Sequence, residues 1–404
     1  MRLLLVGSGG REHALAWKLA QSPLLDELHA APGNPGIASV GTCHPVRADD
    51  VEALLALAGS LAVDLVVVGP EGPLVAGLAD ALRHAGIAVF GPGAEAARIE
   101  GSKSFAKDVM AAVGVRPARV LERPTAPCVV KLDGLAAGKG VFVCRDEDEL
   151  RRGLRAADAL GGRIVAEELL EGEELSVFAL VDGRDVLPLG SARDYSALED
   201  GDVGPNTGGM GSYSPVADAP PLEEVVDEIH RPVVDELARR DTPFVGCLYA
   251  GLMLTQDGPR VLEFNCRFGD PETQVLLPRL DGDLLPALAA AVAGDLAGVG
   301  AGTLGRAAVT VALAAREYPA HPDVGAPIDG VADAEQAGAL VFHAGTALRG
   351  GRLVTNGGRI LNVTGVGESL GDARERAYAG AERISFAGAR YRSDIAALAT
   401  PVHG

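Results

Sequence analysis

Three short apolar runs in the first hundred residues constrain this chain more than any other feature. Leu3-Leu4-Leu5-Val6, Leu65-Val66-Val67-Val68 and Ile87-Ala88-Val89-Phe90 each stop at a glycine, the last two at a Gly-Pro step. Helical patterns separate them, one over residues 12–20. Uninterrupted apolar runs suit strands covered on both faces, and their alternation with helices gives a parallel sheet. An α/β unit over residues 1–101 is the first expectation.

The pattern then changes. Ser102 is placed to cap a helix over residues 102–113. From about residue 120 the strands come in pairs: 128–132 with 141–144 around a Gly- and Ala-rich loop, then 163–166 and 176–181. Residues 194–215 are rich in Gly, Asp and Pro without periodicity and read as one long loop. A helix over 222–239 precedes strands at 249–254 and 260–265, and small residues at 294–305 read as a linker. The tail offers strands at 309–312, 340–344 and 360–364, with Asn356-Gly357 as a hairpin signal. With 404 residues the chain exceeds one ordinary core, so the fold class is α/β and α+β multidomain. The units expected are 1–101, 102–305 and a β-rich 306–404.

Charge narrows the partners. Lys and Arg number 36 against 55 Asp and Glu, a formal charge of −19, which disfavours nucleic acid and anionic membranes. The five cysteines form no close pair, which fits reduced thiols rather than a disulfide framework or a zinc site. The first apolar run is too short for a secretory core, and nothing approaches the ~20 apolar residues of a membrane span. A soluble, cytoplasmic protein is expected, with both a monomer and an oligomer left open.

Three segments carry chemistry. Gly134-Leu135-Ala136-Ala137-Gly138-Lys139-Gly140 departs from a Walker loop, with three residues between its outer glycines and Gly140 where Ser or Thr would hold magnesium. It joins two β-runs, so it is either a surface hairpin or a Gly-rich flap whose amides and Lys139 cover phosphates. Lys131, inside the preceding strand, is either solvent-facing or aimed at a phosphate, since a lone interior ammonium is costly. Glu167 to Glu174 reads as a solvated acidic face or as a hinge binding adenine through backbone groups, with Glu174 on the ribose. In Glu263-Phe264-Asn265-Cys266-Arg267, strand alternation puts Glu263, Asn265 and Arg267 on one face. A carboxylate and an amide oxygen at that spacing suit magnesium.

Gly7-Ser8-Gly9 after the first strand suggests a dinucleotide fingerprint, but its third glycine position holds Glu12 and the second strand ends at Ala31-Pro32-Gly33 without an acid. The Gly9-Gly10-Arg11 turn retains the capacity to bind a phosphate.

Together these segments resemble the ATP-grasp superfamily and, within it, the phosphoribosylamine–glycine ligase family. The likeness runs from Val6-Gly7-Ser8-Gly9-Gly10-Arg11 through Val68-Gly69-Pro70-Glu71, Gly101-Ser102-Lys103, the Lys131–Val141 stretch, Gly204 to Gly211 and Glu263 to Thr273, as far as Asn356-Gly357-Gly358-Arg359. It implies a nucleotide-covering subdomain (an ATP lid) at about residues 118–182 and a carbon–nitrogen ligase of purine biosynthesis that uses ATP, glycine and 5-phosphoribosylamine. It also implies Mg2+, with Mn2+ as a substitute. By the same resemblance Lys103, Lys131, Gly138 and Lys139 would contact ATP phosphates, and Glu167, Leu170 and Glu174 its nucleoside. Glu263 and Asn265 would hold the metal. Arg267 would hold the carboxylate or acyl phosphate, with Lys139 beside it in catalysis. Gly9 and Gly10 would meet the phosphoribosyl group. Thr207, Gly208, Gly209 and Gly211 would offer amides to an anion, and Asp194 would take the glycine ammonium. One segment departs: where the family carries a glutamine before and a Lys-Arg pair after the aspartate, this chain has Arg193-Asp194-Tyr195-Ser196-Ala197. Either Arg193 replaces the lost charge, or this loop is solvated and the Lys-Arg pair is not needed.

Overall fold

The structure is a computed structural model that describes residues 1–135, 140–300, 302, 305–320 and 322–397. Its first layer is a five-stranded parallel sheet in the order Thr42–Cys43, Glu27–Pro32, Arg2–Gly7, Leu65–Val68, Val89–Phe90. Leu3 and Leu5 pack with Ala14, Leu15 and Leu19 of the helix Gly10–Leu19, while Leu4 and Val6 pack with Leu54 and Leu78 on the other face. Both faces are buried, which is why the run does not alternate.

Ser102 caps the helix Lys103–Val113, its Oγ accepting the Phe105 N–H at 3.3 Å. A small antiparallel sheet follows, Val141–Cys144, Cys128–Leu132 and Ile164–Glu168, with the helix Glu147–Leu160 against it.

The largest sheet has eight antiparallel strands ordered Gly258–Asn265, Val245–Thr255, Glu173–Asp182, Val186–Asp194, Gly211–Ser214, Ala307–Ala314, Arg359–Gly367, Leu340–His343. The tail strands Ala307–Ala314, Arg359–Gly367 and Leu340–His343 extend the central sheet, and Thr346–Arg349 with Arg352–Thr355 form a two-stranded sheet of their own. One expectation changes here. The segment expected as one loop over 194–215 contains three strands, Ala197–Glu199, Val203–Asn206 and Gly211–Ser214. The last is the seam: Ser212 pairs with Asp194 on one side and Thr310 on the other. It has four residues and only one large side chain, Tyr213, so no hydrophobic period announces it.

The helix over 222–239 keeps the expected ends and contains a π-helical turn, Val226–His230, between Leu222–Val225 and Arg231–Arg239. Pro232 follows the turn and has no N–H for the helical ladder. The hairpin predicted at Asn356-Gly357 turns instead at Gly350-Gly351, between Thr346–Arg349 and Arg352–Thr355. Both glycines have positive φ, +57° and +78°, as a tight two-residue turn requires. The Asn356 N–H instead donates to Gly345 O at 2.7 Å.

Candidate active site

The small sheet stands over the central sheet, and the gap between them is a cleft of about 560 Å³. Lys103, Lys131, Glu167, Leu170, Glu174, Asp194, Thr207, Gly208, Glu263, Asn265 and Arg267 all line it. Gly138 and Lys139 lie outside the described residues.

On the strand Gly258–Asn265, Glu263 stands opposite Gly251 and Asn265 opposite Tyr249. Asn265 Nδ2 donates to Glu263 Oε1 at 3.4 Å, and Lys103 Nζ lies 3.8 Å from Glu263 Oε2. Burial would raise the Glu263 carboxyl, but the Lys103 and Lys131 ammoniums override it and lower it. An ionised carboxylate and an amide two residues apart are hard donors of the kind magnesium takes, so these side chains fit the metal.

Their surroundings are acidic. Glu272 is 3% exposed, accepts from Ser176 Oγ at 3.3 Å, and is pushed up to about 7 by burial and then by Asp194. Asp194 is raised by burial, although its Oδ2 accepts from Ser196 Oγ at 2.8 Å. Glu174 keeps much of its surface open to the cleft, yet protein crowds it on most sides. Desolvation and the Asp194 and Glu263 carboxylates raise it. Neighbouring acids that resist joint ionisation mark a place for a cation or an ammonium.

Lys131 is neither solvent-facing nor unpaired. Its Nζ lies 2.7 Å from Glu167 Oε2 and donates to Leu262 O at 3.0 Å. Glu167 is therefore a buried counter-ion rather than part of a solvated face, and Lys107 reaches its other oxygen at 2.8 Å. Arg267 is likewise claimed. Nε donates to Glu71 at 3.1 Å, Nη2 to Glu100 at 2.9 Å and to Asn265 Oδ1 at 3.0 Å, and Nη1 to Phe268 O at 3.2 Å. Of five N–H groups, one is left without a partner among the described residues.

Three expectations need correction. Arg193 turns away from the cleft: it donates to Glu174 O at 2.9 Å and pairs with Glu173 and Asp218 at 3.2 and 3.3 Å. It sits one strand position from Asp194, so its side chain leaves the opposite face, and it does not supply the lost charge. The Thr207–Met210 amides are taken up within the protein. Thr207 N–H donates to Ser196 O, Gly208 N–H to Tyr318 Oη at 3.0 Å, Gly209 N–H to Thr207 Oγ1 at 3.0 Å and Met210 N–H to Tyr195 O, while Gly211 opens the strand that lies against Val311 and does not line the cleft. They hold a scaffold rather than present donors to an anion. Gly9 and Gly10 do not line the cleft: the Gly9 N–H donates to Glu12 Oε2 at 2.5 Å, and a Cβ on Gly10 would meet Asn362 Oδ1 at 2.6 Å. The Glu12 carboxylate fills the helix N-terminus that a phosphate would need.

Several site residues had no assigned role. Arg359, the last residue of the family likeness, lies in the cleft and pairs with Asp270 at 3.1 Å while donating to the carbonyls of Gly208 and Gly209. Glu71, Asp270 and Glu272 lie beside Pro or Gly within the family likeness, which is the signal the sequence offers. Glu100 and Lys107 gave none, because their partners lie far away in the chain.

A small antiparallel sheet closing on a larger one, with lysines above a Glu-x-Asn strand, defines the ATP-grasp class of nucleotide-dependent enzymes. Residues 1–100, 101–273 and 308–398 match, in that order, the N domain, the ATP-grasp (A) domain and the C domain described for phosphoribosylglycinamide synthetase. The chain is similar to the phosphoribosylamine–glycine ligases of Streptomyces coelicolor (52% identical, covering 99% of each chain) and Mesorhizobium japonicum (50%, covering 98% of this chain and 97% of the relative). A crystal structure of the Thermotoga maritima phosphoribosylamine–glycine ligase superposes with a TM-score of 0.85 at 36% identity, covering 98% of this chain and all of that one. The biotin carboxylase domain of a Hydrogenobacter thermophilus 2-oxoglutarate carboxylase, crystallised with MgADP, superposes at 0.71 with 17% identity over 96% of this chain and 91% of that one, which shows the fold alone. The chain belongs to the phosphoribosylglycinamide synthetase (phosphoribosylamine–glycine ligase) family.

Proposed function

We propose that this chain joins glycine to 5-phosphoribosylamine at the expense of ATP, giving glycinamide ribonucleotide, ADP and phosphate in purine biosynthesis. The observation that carries this reading is one cleft lined by Lys103, Lys131, Arg267 and Arg359 together with Glu174, Asp194, Glu263 and Glu272, in a chain whose three parts match the three domains of such ligases.

The γ-phosphoryl group passes to the glycine carboxylate, and the phosphoribosylamine nitrogen then attacks the glycyl phosphate. A C–N bond forms, the bond from carbon to the phosphate oxygen breaks, and the amine sheds one proton. The reaction needs no nucleophilic side chain, so positioning and charge matching supply the catalysis. Lys103 and Lys131 line the cleft and would meet ATP phosphates. Leu170 and its neighbours offer an apolar wall for the base. Bound Mg2+ would neutralise phosphate charge, with Glu263 and Asn265 holding it; Mn2+, another hard divalent ion, suits the same donors. Asp194 and Glu272 are charge-matched to the glycine ammonium. Arg267, fixed by Glu71 and Glu100, offers a stationary positive charge rather than a mobile clamp.

Among the described residues no helix is long and apolar enough to cross a membrane, and we infer action in the cytoplasm. Phosphate release from ATP that requires both glycine and phosphoribosylamine tests the reading. Release independent of either would contradict it.

A further inference from the structure

We propose that Lys107 is a positioning residue for ATP binding: by holding Glu167 it leaves Lys131 free to move onto a nucleotide phosphate. The proposal rests on the reading of Lys131 as a phosphate contact.

Three charges meet at the wall of the cleft. Lys131 comes from the strand Cys128–Leu132, Glu167 from Ile164–Glu168 and Lys107 from the helix Lys103–Val113. Lys131 Nζ is 2.7 Å from Glu167 Oε2 and Lys107 Nζ is 2.8 Å from Glu167 Oε1. The side chains are 6%, 14% and 2% exposed for Lys131, Lys107 and Glu167, so water screens them little. Backbone carbonyls complete the set, Leu262 O at 3.0 Å from Lys131 and Ala118 O at 2.7 Å from Lys107.

Lys131 and Glu167 line the cleft, whereas Lys107 lies behind Glu167 and does not. Lys107 therefore acts on a nucleotide only through Glu167. Two ammoniums share one carboxylate, so the group carries one positive charge in excess. They also repel each other: burial lowers Lys107, and the Lys131 charge adds to that against the pull of Glu167. If Lys131 moves to a phosphate, Glu167 still has Lys107 and is not left as a lone buried charge. Without Lys107, the same movement would strand Glu167, and Lys131 would stay paired.

The test is calorimetric titration of the full chain with ATP and Mg2+, and separately with adenosine, which has no phosphate. In Lys107→Met the ATP dissociation constant should rise about tenfold or more, as for loss of a close charge pair, with adenosine unchanged. Lys107→Arg should restore wild-type binding. The double variant Lys107→Met/Glu167→Gln should regain most of the ATP-to-adenosine ratio, because its excess charge is again one and Lys131 has no competitor. Lys107→Gln serves if the methionine variant does not fold.

Wild-type ATP binding in Lys107→Met, equal losses for ATP and adenosine, or a double variant as weak as the single one would each overturn the proposal. Lys131→Met separates the two levels. It should weaken ATP alone; if it leaves ATP binding unchanged, the phosphate role of Lys131 fails, and this inference with it.

Discussion

The Glu71 carboxylate lies 3.1 Å from Nε of Arg267, joining the parallel N-terminal sheet to the end of the Glu-x-Asn strand. Burial alone would raise Glu71, but the Arg267 and Arg11 guanidiniums hold it down at about 2. Both side chains are mostly covered, 16% exposed for Arg267 and 23% for Glu71. Glu71→Gln should therefore cost about 1–3 kcal/mol, between the ranges for exposed and buried pairs. Urea unfolding measures it, and unchanged stability would mean that the pair does not join the two units.

Glu263→Gln keeps the shape of the side chain and removes the charge facing the triphosphate. Turnover at saturating Mg2+ should fall by about 100-fold or more, with the melting temperature nearly unchanged. Wild-type turnover in this variant would remove Glu263 from the metal site.

Arg193→Ala should leave the KM for phosphoribosylamine within about twofold of wild type, because uniform binding is lost only where a contact exists. The stability loss should be at most about 1 kcal/mol, since Glu173 and Asp218 are 66% and 60% exposed. A large rise in that KM would restore Arg193 as the replacement cation.

His230 is fully buried, and burial lowers it from 6.5 to about 4. Above pH 6.5 both folded and unfolded chains hold it neutral. Between 6.5 and about 4 only the unfolded chain takes the proton, so its contribution to stability is lost as pH falls through that window. Glu174 and Glu272 are raised and work in the opposite direction, so the informative quantity is wild type minus His230→Gln at each pH. That difference should shift against wild type by up to about 1.4 kcal/mol per pH unit below 6.5. A difference independent of pH would show that His230 protonates alike in both states.

What could be read in advance follows the range of the forces. Leu3 to Val6, Ser102 and the Glu263/Asn265 alternation are local signals, and each appears in the structure where its periodicity or cap puts it, whereas Arg267 lies beyond the strand's end at Asn265. Lys131 was legible as a misfit in an apolar strand, but not its partner, because Glu167 arrives from a neighbouring strand. Gly211–Ser214 was hidden because so short a strand owes its existence to ladders on both sides. Arg359 was hidden because Asn356-Gly357-Gly358 carries the composition of a turn, while the Asp270 that holds Arg359 sits far back in the chain.

The measurement that bears most directly on the account is steady-state release of phosphate from ATP by the purified chain, with glycine and phosphoribosylamine supplied singly and together. The account predicts rapid release only with both, matched one for one by formation of glycinamide ribonucleotide. Release as fast with one acceptor omitted, or phosphate formed without the amide product, would contradict it.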